Sequence, residues 1–199
     1  MTGKANPAPV EGDALIIVDV QNDFLPGGSL AVGHGDEVIP ALNRYIALFR
    51  ARGLPVFATR DWHPADHCSF RPQGGPWPPH CVAGSRGAEF GPGLNLSPDT
   101  PVISKGTDPG TDAYSAFEGT GLDLRLKRLG VTRVFVGGLA TDYCVLSTVR
   151  DALAAGLRAV VLRDACRAVN VHARDGAQAE QEMERLGALP AEYPAVAAG

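Results

Sequence analysis

Apolar residues along this chain fall into two patterns that alternate from one end to the other. Ala14-Leu15-Ile16-Ile17-Val18 is a continuous apolar run, expected of a strand buried on both faces, and further short runs of strand formers occur at Leu54 to Thr59, Val102-Ile103-Ser104, Val131 to Val136 and Ala159-Val160-Val161-Leu162. Between them, apolar positions recur at helical spacing. Ile39, Leu42, Ile46 and Phe49 lie between a candidate cap, Asp36, and a stop, Gly53. Leu122, Leu126 and Leu129 predict a second helix closed by Gly130. Val145, Leu146, Val149 and Leu153 predict a third, running from Thr141 to Gly156. A polar helix is predicted from about Arg174 to Leu186. Strand and helix in alternation, with short connections, imply an α/β fold: a three-layer α-β-α sandwich around a mostly parallel open sheet. The chain is expected to form a single domain over residues 1–199, with frayed termini at about 1–12 and 190–199. Two long Pro/Gly-rich stretches, 64–101 and 105–120, interrupt the alternation. Loops of that length in a compact domain usually carry function.

Composition narrows the partners. A chain that is 45% hydrophobic and 20% charged is globular, and its net charge of −4 argues against nucleic acid or an anionic membrane surface. No apolar run approaches the length of a membrane span, and the first ten residues lack a signal-peptide core, so a cytoplasmic location is expected. Four cysteines in such a protein are expected as thiols. Neither G-x-G-x-x-G nor a P-loop is present, which leaves no place for a nucleotide cofactor.

The reactive side chains share one location. Asp19 follows the first strand, Asp61 and His63 the second, Lys105 the third and Cys144 the fourth. In an open parallel sheet this carboxyl edge is where ligands bind. Cys144 follows Gly137-Gly138 and opens a helix, where the helix dipole favours a thiolate. Asp19, desolvated at a strand end, can take and return a proton, and Lys105 can favour both anions. Backbone N–H groups of Ala140 and Cys144 offer an oxyanion hole. Taken singly, each of these residues has a plain alternative: a cap, a solvated lysine, a core cysteine. Their convergence on one edge is the stronger observation.

A second cluster, Asp61-Trp62-His63-Pro64-Ala65-Asp66-His67 with His80 beyond it, combines a carboxylate with imidazoles. That donor set suits zinc, iron or manganese, although D-x-H alone equally describes a polar surface loop. Cys68 and Cys81 flank it without zinc-site spacing. Phe24, Trp62, Phe70, Trp77 and Tyr114 interleave with these groups and suggest a small flat apolar pocket, with Phe70 the best fit to a purely structural role.

Val18-Asp19-Val20-Gln21-Asn22-Asp23-Phe24, Asp61-Trp62-His63-Pro64, Trp77-Pro78-Pro79-His80-Cys81-Val82, Lys105-Gly106, Tyr114-Ser115-Ala116-Phe117 and Gly138-Leu139-Ala140-Thr141-Asp142-Tyr143-Cys144-Val145 follow one another in a familiar order. Together they resemble the nicotinamidase/pyrazinamidase branch of the isochorismatase-like cysteine hydrolases. The resemblance implies an Asp19, Lys105 and Cys144 triad, one divalent metal on Asp61, His63 and His80 with His67 as a possible fourth ligand, and a ring pocket of Phe24, Leu30, Trp77, Tyr114 and Ala140. It further implies a cis peptide before Ala140. The implied activity is hydrolysis of nicotinamide to nicotinate and ammonia, extending to pyrazinamide, in NAD salvage by a monomer or homo-oligomer. Two other readings carry different signatures. Another amidase of the superfamily would be active without metal, and a non-enzymatic binding protein would show no reactive Cys144.

Overall fold

The computed structural model describes residues 7–198. Along the chain, β1 (Asp13–Val18), α1 (Val38–Ala51), β2 (Val56–Asp61), β3 (Val102–Lys105), α2 (Leu122–Arg128) and β4 (Arg133–Leu139) come first. They are followed by α3 (Leu146–Ala154), β5 (Arg158–Arg167), α4 (Asp175–Arg185), β6 (Leu189–Ala191) and α5 (Tyr193–Ala197). The strands form one sheet in the order β3-β2-β1-β4-β5-β6, every pairing parallel.

Both sheet faces are covered, which is why the central strand β1 reads as an unbroken apolar run. Leu15 and Ile17 pack with Leu42, Tyr45, Ile46 and Phe49 of α1 and with Val196 of α5. Ala14, Ile16 and Val18 face the other way, towards Leu122 and Leu126 of α2, Val149 and Ala152 of α3, and Met183 of α4. At the amino edge of the sheet, Asp13 and Arg133 are register partners and form a buried ion pair that pins β1 against β4.

The chain departs from the expectations in several places. Residues 190–199 were expected to fray, yet β6 pairs with β5 and Val196 is fully buried; residue 199 lies outside the described residues, as do 1–6 of the expected amino-terminal fray. Pro190 hid this strand from a pattern reading, but an edge strand tolerates proline because one side needs no ladder donor. Ala8, also within the expected fray, is buried. Leu129 is exposed because α2 ends one residue before it. Asp36 sits in a 3-10 turn, Gly35–Glu37, that leads into α1 rather than capping it. The predicted third helix is two elements: a π-helical turn, Thr141–Val145, and then α3.

β1 and β4 are neighbours whose connections leave to opposite sides, so the sheet order reverses between them. A crevice opens at such a point beyond the carboxyl ends of the strands. Gly138 is the residue that lets these two strands close up there. It has φ +132°, and a Cβ on it would stand 2.1 Å from the Val18 carbonyl oxygen. A backbone oxygen in a paired strand cannot retreat, so G138A is expected to yield no folded protein. Soluble G138A with the wild-type circular dichroism spectrum and melting midpoint would contradict this.

Candidate active site

Five side chains from four strand ends meet in this crevice. Asp19 directly follows β1 and adopts φ +48°, a left-handed conformation that turns its carboxylate inward. Asp61 and Lys105 are the last residues of β2 and β3 and are register partners, which alone brings them together. His63 lies two residues beyond β2, and Cys144 lies in the turn after β4. Asp19, Asp61, His63 and Lys105 are all at most 4% exposed, and Cys144 is 6% exposed.

Lys105 Nζ is the hub. It donates to Asp61 Oδ1 and lies 3.0 Å from Asp19 Oδ2, 3.5 Å from Cys144 Sγ and 3.3 Å from the Ala113 carbonyl. Thr59 donates its hydroxyl proton to Asp19 Oδ1 at 2.6 Å. Asp19 Oδ2 is in ion-pair contact with Lys105 but outside hydrogen-bonding geometry, so it is a buried oxygen with acceptor capacity to spare. An oxygen of Asp19, an oxygen of Asp61 and Cys144 Sγ lie within 4.8 Å of one another. A carboxylate with a free lone pair beside a thiol is the arrangement a proton transfer needs.

Electrostatics separates the two carboxyls. Burial raises the Asp19 pKa, and Lys105 only partly offsets it. Burial acts on Asp61 too, but Lys105 and His63 outweigh it and hold that carboxyl well below the usual range. Burial opposes a charged Lys105 as well, yet Asp19 and Asp61 dominate and keep the ammonium protonated. Cys144 corrects an expectation. Burial pushes its thiol well above the ordinary value, against the pull of Lys105. The helix-terminus argument for a resting thiolate fails because Cys144 is buried in the π-helical turn, 6% exposed, and its desolvation outweighs the attraction of Lys105. The thiol therefore depends on a neighbouring base. The Leu139–Ala140 peptide bond is cis, and Ala140 borders the pocket beside Cys144.

Beside these groups, ligand atoms of Asp61, His63 and His80, all buried, also lie within 4.8 Å of one another. The Nδ1 of His63 faces the Gly106 carbonyl at 2.9 Å and that of His80 faces the Pro78 carbonyl at 2.8 Å. A proton on each Nδ1 leaves both Nε2 atoms as lone-pair donors, the outer bonding that metal-ligating imidazoles show. Gln21 fixes the carboxylate residue by accepting from the Asp61 amide and donating to its carbonyl, both at 2.7 Å. The donor set, its closeness and its tautomers fit a borderline divalent cation. His67 does not join it. Its Nδ1 is 2.7 Å from the Ser69 hydroxyl and its Nε2 3.1 Å from the Thr111 carbonyl, so both nitrogens are engaged while the ring stacks 4.2 Å from that of His63. Phe70 is fully buried against His63, His67 and His80, a packing role.

The pocket over these groups takes in Phe24, Leu30, Trp77, Tyr114 and Ala140, all five expected. Trp77 donates its indole N–H to the Tyr114 hydroxyl at 2.9 Å and stands edge-on to Tyr143. Trp62 points elsewhere, under the Arg60 guanidinium at 3.6 Å. Val32, Ser69, Asp112, Ala113, Tyr143 and Val169 also line the pocket and were not anticipated. Tyr143, adjacent to Cys144, and Asp112 and Ala113, just before Tyr114, had a signal in the sequence; Val169 comes from a distant loop. All four cysteines are free thiols. Among the described residues no helix is long and apolar enough to cross a membrane.

Residues 13–189 match the Isochorismatase domain family. The chain is 42% identical over 196 residues to the nicotinamidase of Escherichia coli, covering 88% of this chain and 92% of that protein. Among solved structures it is similar to the pyrazinamidase of Pyrococcus horikoshii in complex with zinc, with a TM-score of 0.88, 47% identity, and coverage of 92% of this chain and 99% of the other. It is likewise similar to PnC1 of L. infantum in complex with nicotinate, with a TM-score of 0.87, 40% identity, and coverage of 95% and 96%.

Proposed function

This chain belongs to the isochorismatase family, and from that premise we propose that it is a metal-dependent cysteine amidohydrolase. It converts nicotinamide to nicotinate and ammonia, accepts pyrazinamide as well, and feeds NAD salvage. The observation that carries this reading is the shared Asp61. It pairs with Lys105, the hub of the Asp19 and Cys144 cluster, and also belongs to the Asp61, His63 and His80 group, so nucleophile and metal site face one pocket. A relative named for nicotinamide hydrolysis, a neighbour holding zinc and another holding nicotinate support it.

The residues act in sequence. The aromatic walls, Phe24, Trp77 and Tyr114, hold a flat heteroaromatic ring. Asp19 takes the Cys144 thiol proton as Sγ bonds to the carboxamide carbon, and Lys105 stabilises the thiolate as it forms. The carbonyl oxygen becomes an oxyanion against the N–H groups of Ala140 and Cys144. Collapse breaks the C–N bond, and Asp19 passes its proton to the departing nitrogen, giving ammonia and a thioester. Asp19 then deprotonates a water that attacks the thioester carbon, which releases nicotinate and restores the thiol. Asp61, His63 and His80 are the residues that would hold a divalent metal, which would supply Lewis acidity beside the pocket when bound.

A substrate series tests the reading. Ammonia is expected from nicotinamide and pyrazinamide but not from benzamide, which has the ring shape without the nitrogen. Failure to hydrolyse any pyridine or pyrazine carboxamide would sink it. A pH profile tests Asp19 as the base. Because burial raises its pKa, the carboxylate form appears at higher pH than for an ordinary carboxyl. The acid limb of kcat/KM is therefore expected to rise with pH through an apparent pKa above the ordinary carboxylate range. A flat profile down to pH ~4 would exclude this role.

A further inference from the structure

The loop between β5 and α4, residues 168–174, supplies one pocket wall through Val169. One side chain ties its backbone to the turn that carries Cys144. Asp142, two residues before Cys144, accepts the Val169 amide on Oδ1 at 2.9 Å and the Asn170 amide on Oδ2 at 2.8 Å. Two adjacent backbone donors on one carboxylate fix both the position and the tilt of the segment, more firmly than a neutral pair would. The other end of the loop is tied separately. Asn170 is left-handed at φ +54°, and its Oδ1 accepts the Gly176 amide at 2.9 Å. Gly176 packs so tightly that a Cβ there would lie 2.5 Å from Ala168 Cβ. Nothing in the proposed chemistry uses Asp142, and its carboxylate is committed to this loop.

We propose that Asp142 is a positioning residue for substrate binding: its carboxylate latches the β5–α4 loop so that Val169 closes the ring pocket next to Tyr143. The inference rests on the amidase reading and deepens it. The same short turn then sets both where the nucleophile stands and how tightly the ring is held. Removing the latch frees Val169 while leaving Asp19, Lys105 and Cys144 in place. Binding of the ring is lost more than the chemical step.

Steady-state kinetics on nicotinamide, with the full chain and its metal, tests this. D142A is expected to raise KM about tenfold, the scale of losing charge-assisted hydrogen bonds, with kcat falling by a smaller factor. D142N keeps the shape and one acceptor oxygen, so its KM is expected between those of wild type and D142A. It carries the test should D142A not accumulate as folded protein. V169A, which trims the wall itself, is expected to raise KM as well. If Asp142 acts through Val169, the double variant D142A/V169A is no worse than the poorer single variant, because the two changes remove one interaction. Unchanged KM in D142A or D142N, or KM effects that multiply in the double variant, would overturn the proposal. An inactive wild type would instead sink the amidase reading, so the two failures are distinguishable.

Discussion

C144A is expected to abolish ammonia release from nicotinamide, with kcat lowered by at least about 10⁴-fold, the scale seen when a covalent nucleophile is deleted. The size follows from the absence of a substitute within the cluster. Asp19 and Lys105 surround the sulfur, but one is committed as proton carrier and the other is a buried ammonium in three-way contact. Neither can form the thioester. The variant should fold, since removing one sulfur from a partly lined pocket leaves no buried charge unpaired. Lys105 keeps both of its carboxylates. Binding of nicotinate to C144A, measured by calorimetry, should therefore persist while turnover vanishes. Turnover within tenfold of wild type would rule out covalent catalysis at Cys144. D19N should approach the same loss, because the high thiol pKa set by burial leaves Cys144 dependent on its neighbouring base.

Metal removal is the second large effect. Dialysis against a strong chelator is expected to lower ammonia release about 100-fold or more, with recovery on adding zinc, manganese or ferrous iron, since loss of a Lewis acid costs several kcal/mol. The histidine and carboxylate ligands should separate in their consequences. H80A removes one donor together with its ring packing against Phe24, His63 and Phe70 but leaves the Lys105 ion pairs intact, so added metal at high concentration should partly restore activity. D61A also removes the partner of Lys105 and leaves a buried ammonium with Asp19 alone. Its activity should not recover with metal, and its melting midpoint should fall, as expected when half of a buried pair is deleted. Metal analysis of the three proteins alongside the assay decides the matter. Full activity in a chelated, metal-free preparation would reject metal dependence and favour a metal-free amidase of the same family.

Much of this molecule was readable in its residues because the physics was local. The continuous apolar runs at 14–18 and 159–162 had to be strands covered on both faces, and they are. The stripe Ile39, Leu42, Ile46, Phe49 had to be a helix with one buried face. Functional residues fell at strand ends because a parallel sheet puts all those ends on one side. Two residues turn on surroundings a linear reading cannot supply. The depressed thiol pKa assumed a solvated helix terminus, whereas Cys144 is buried in a π-helical turn and burial reverses the sign. The resemblance left His67 open as a fourth ligand, and here Ser69 and Thr111 engage both of its nitrogens.

The residues by themselves determined the α/β alternation and placed a cysteine, an aspartate, a lysine and a carboxylate–imidazole donor set at its strand ends, the groups on which the proposed chemistry rests. These depend on side-chain chemistry and on short-range periodicity. Tertiary structure alone decided the sheet order, and with it that β1 and β4 become neighbours and open a crevice. It alone made Asp61 and Lys105 register partners, so that one carboxylate serves two clusters. It alone brought Val169, some 25 residues beyond Cys144, into the pocket wall and its amide onto the Asp142 carboxylate. The physical reason is that register and burial are set by how elements pack across the sheet, and neither has a signature in any one segment of the chain.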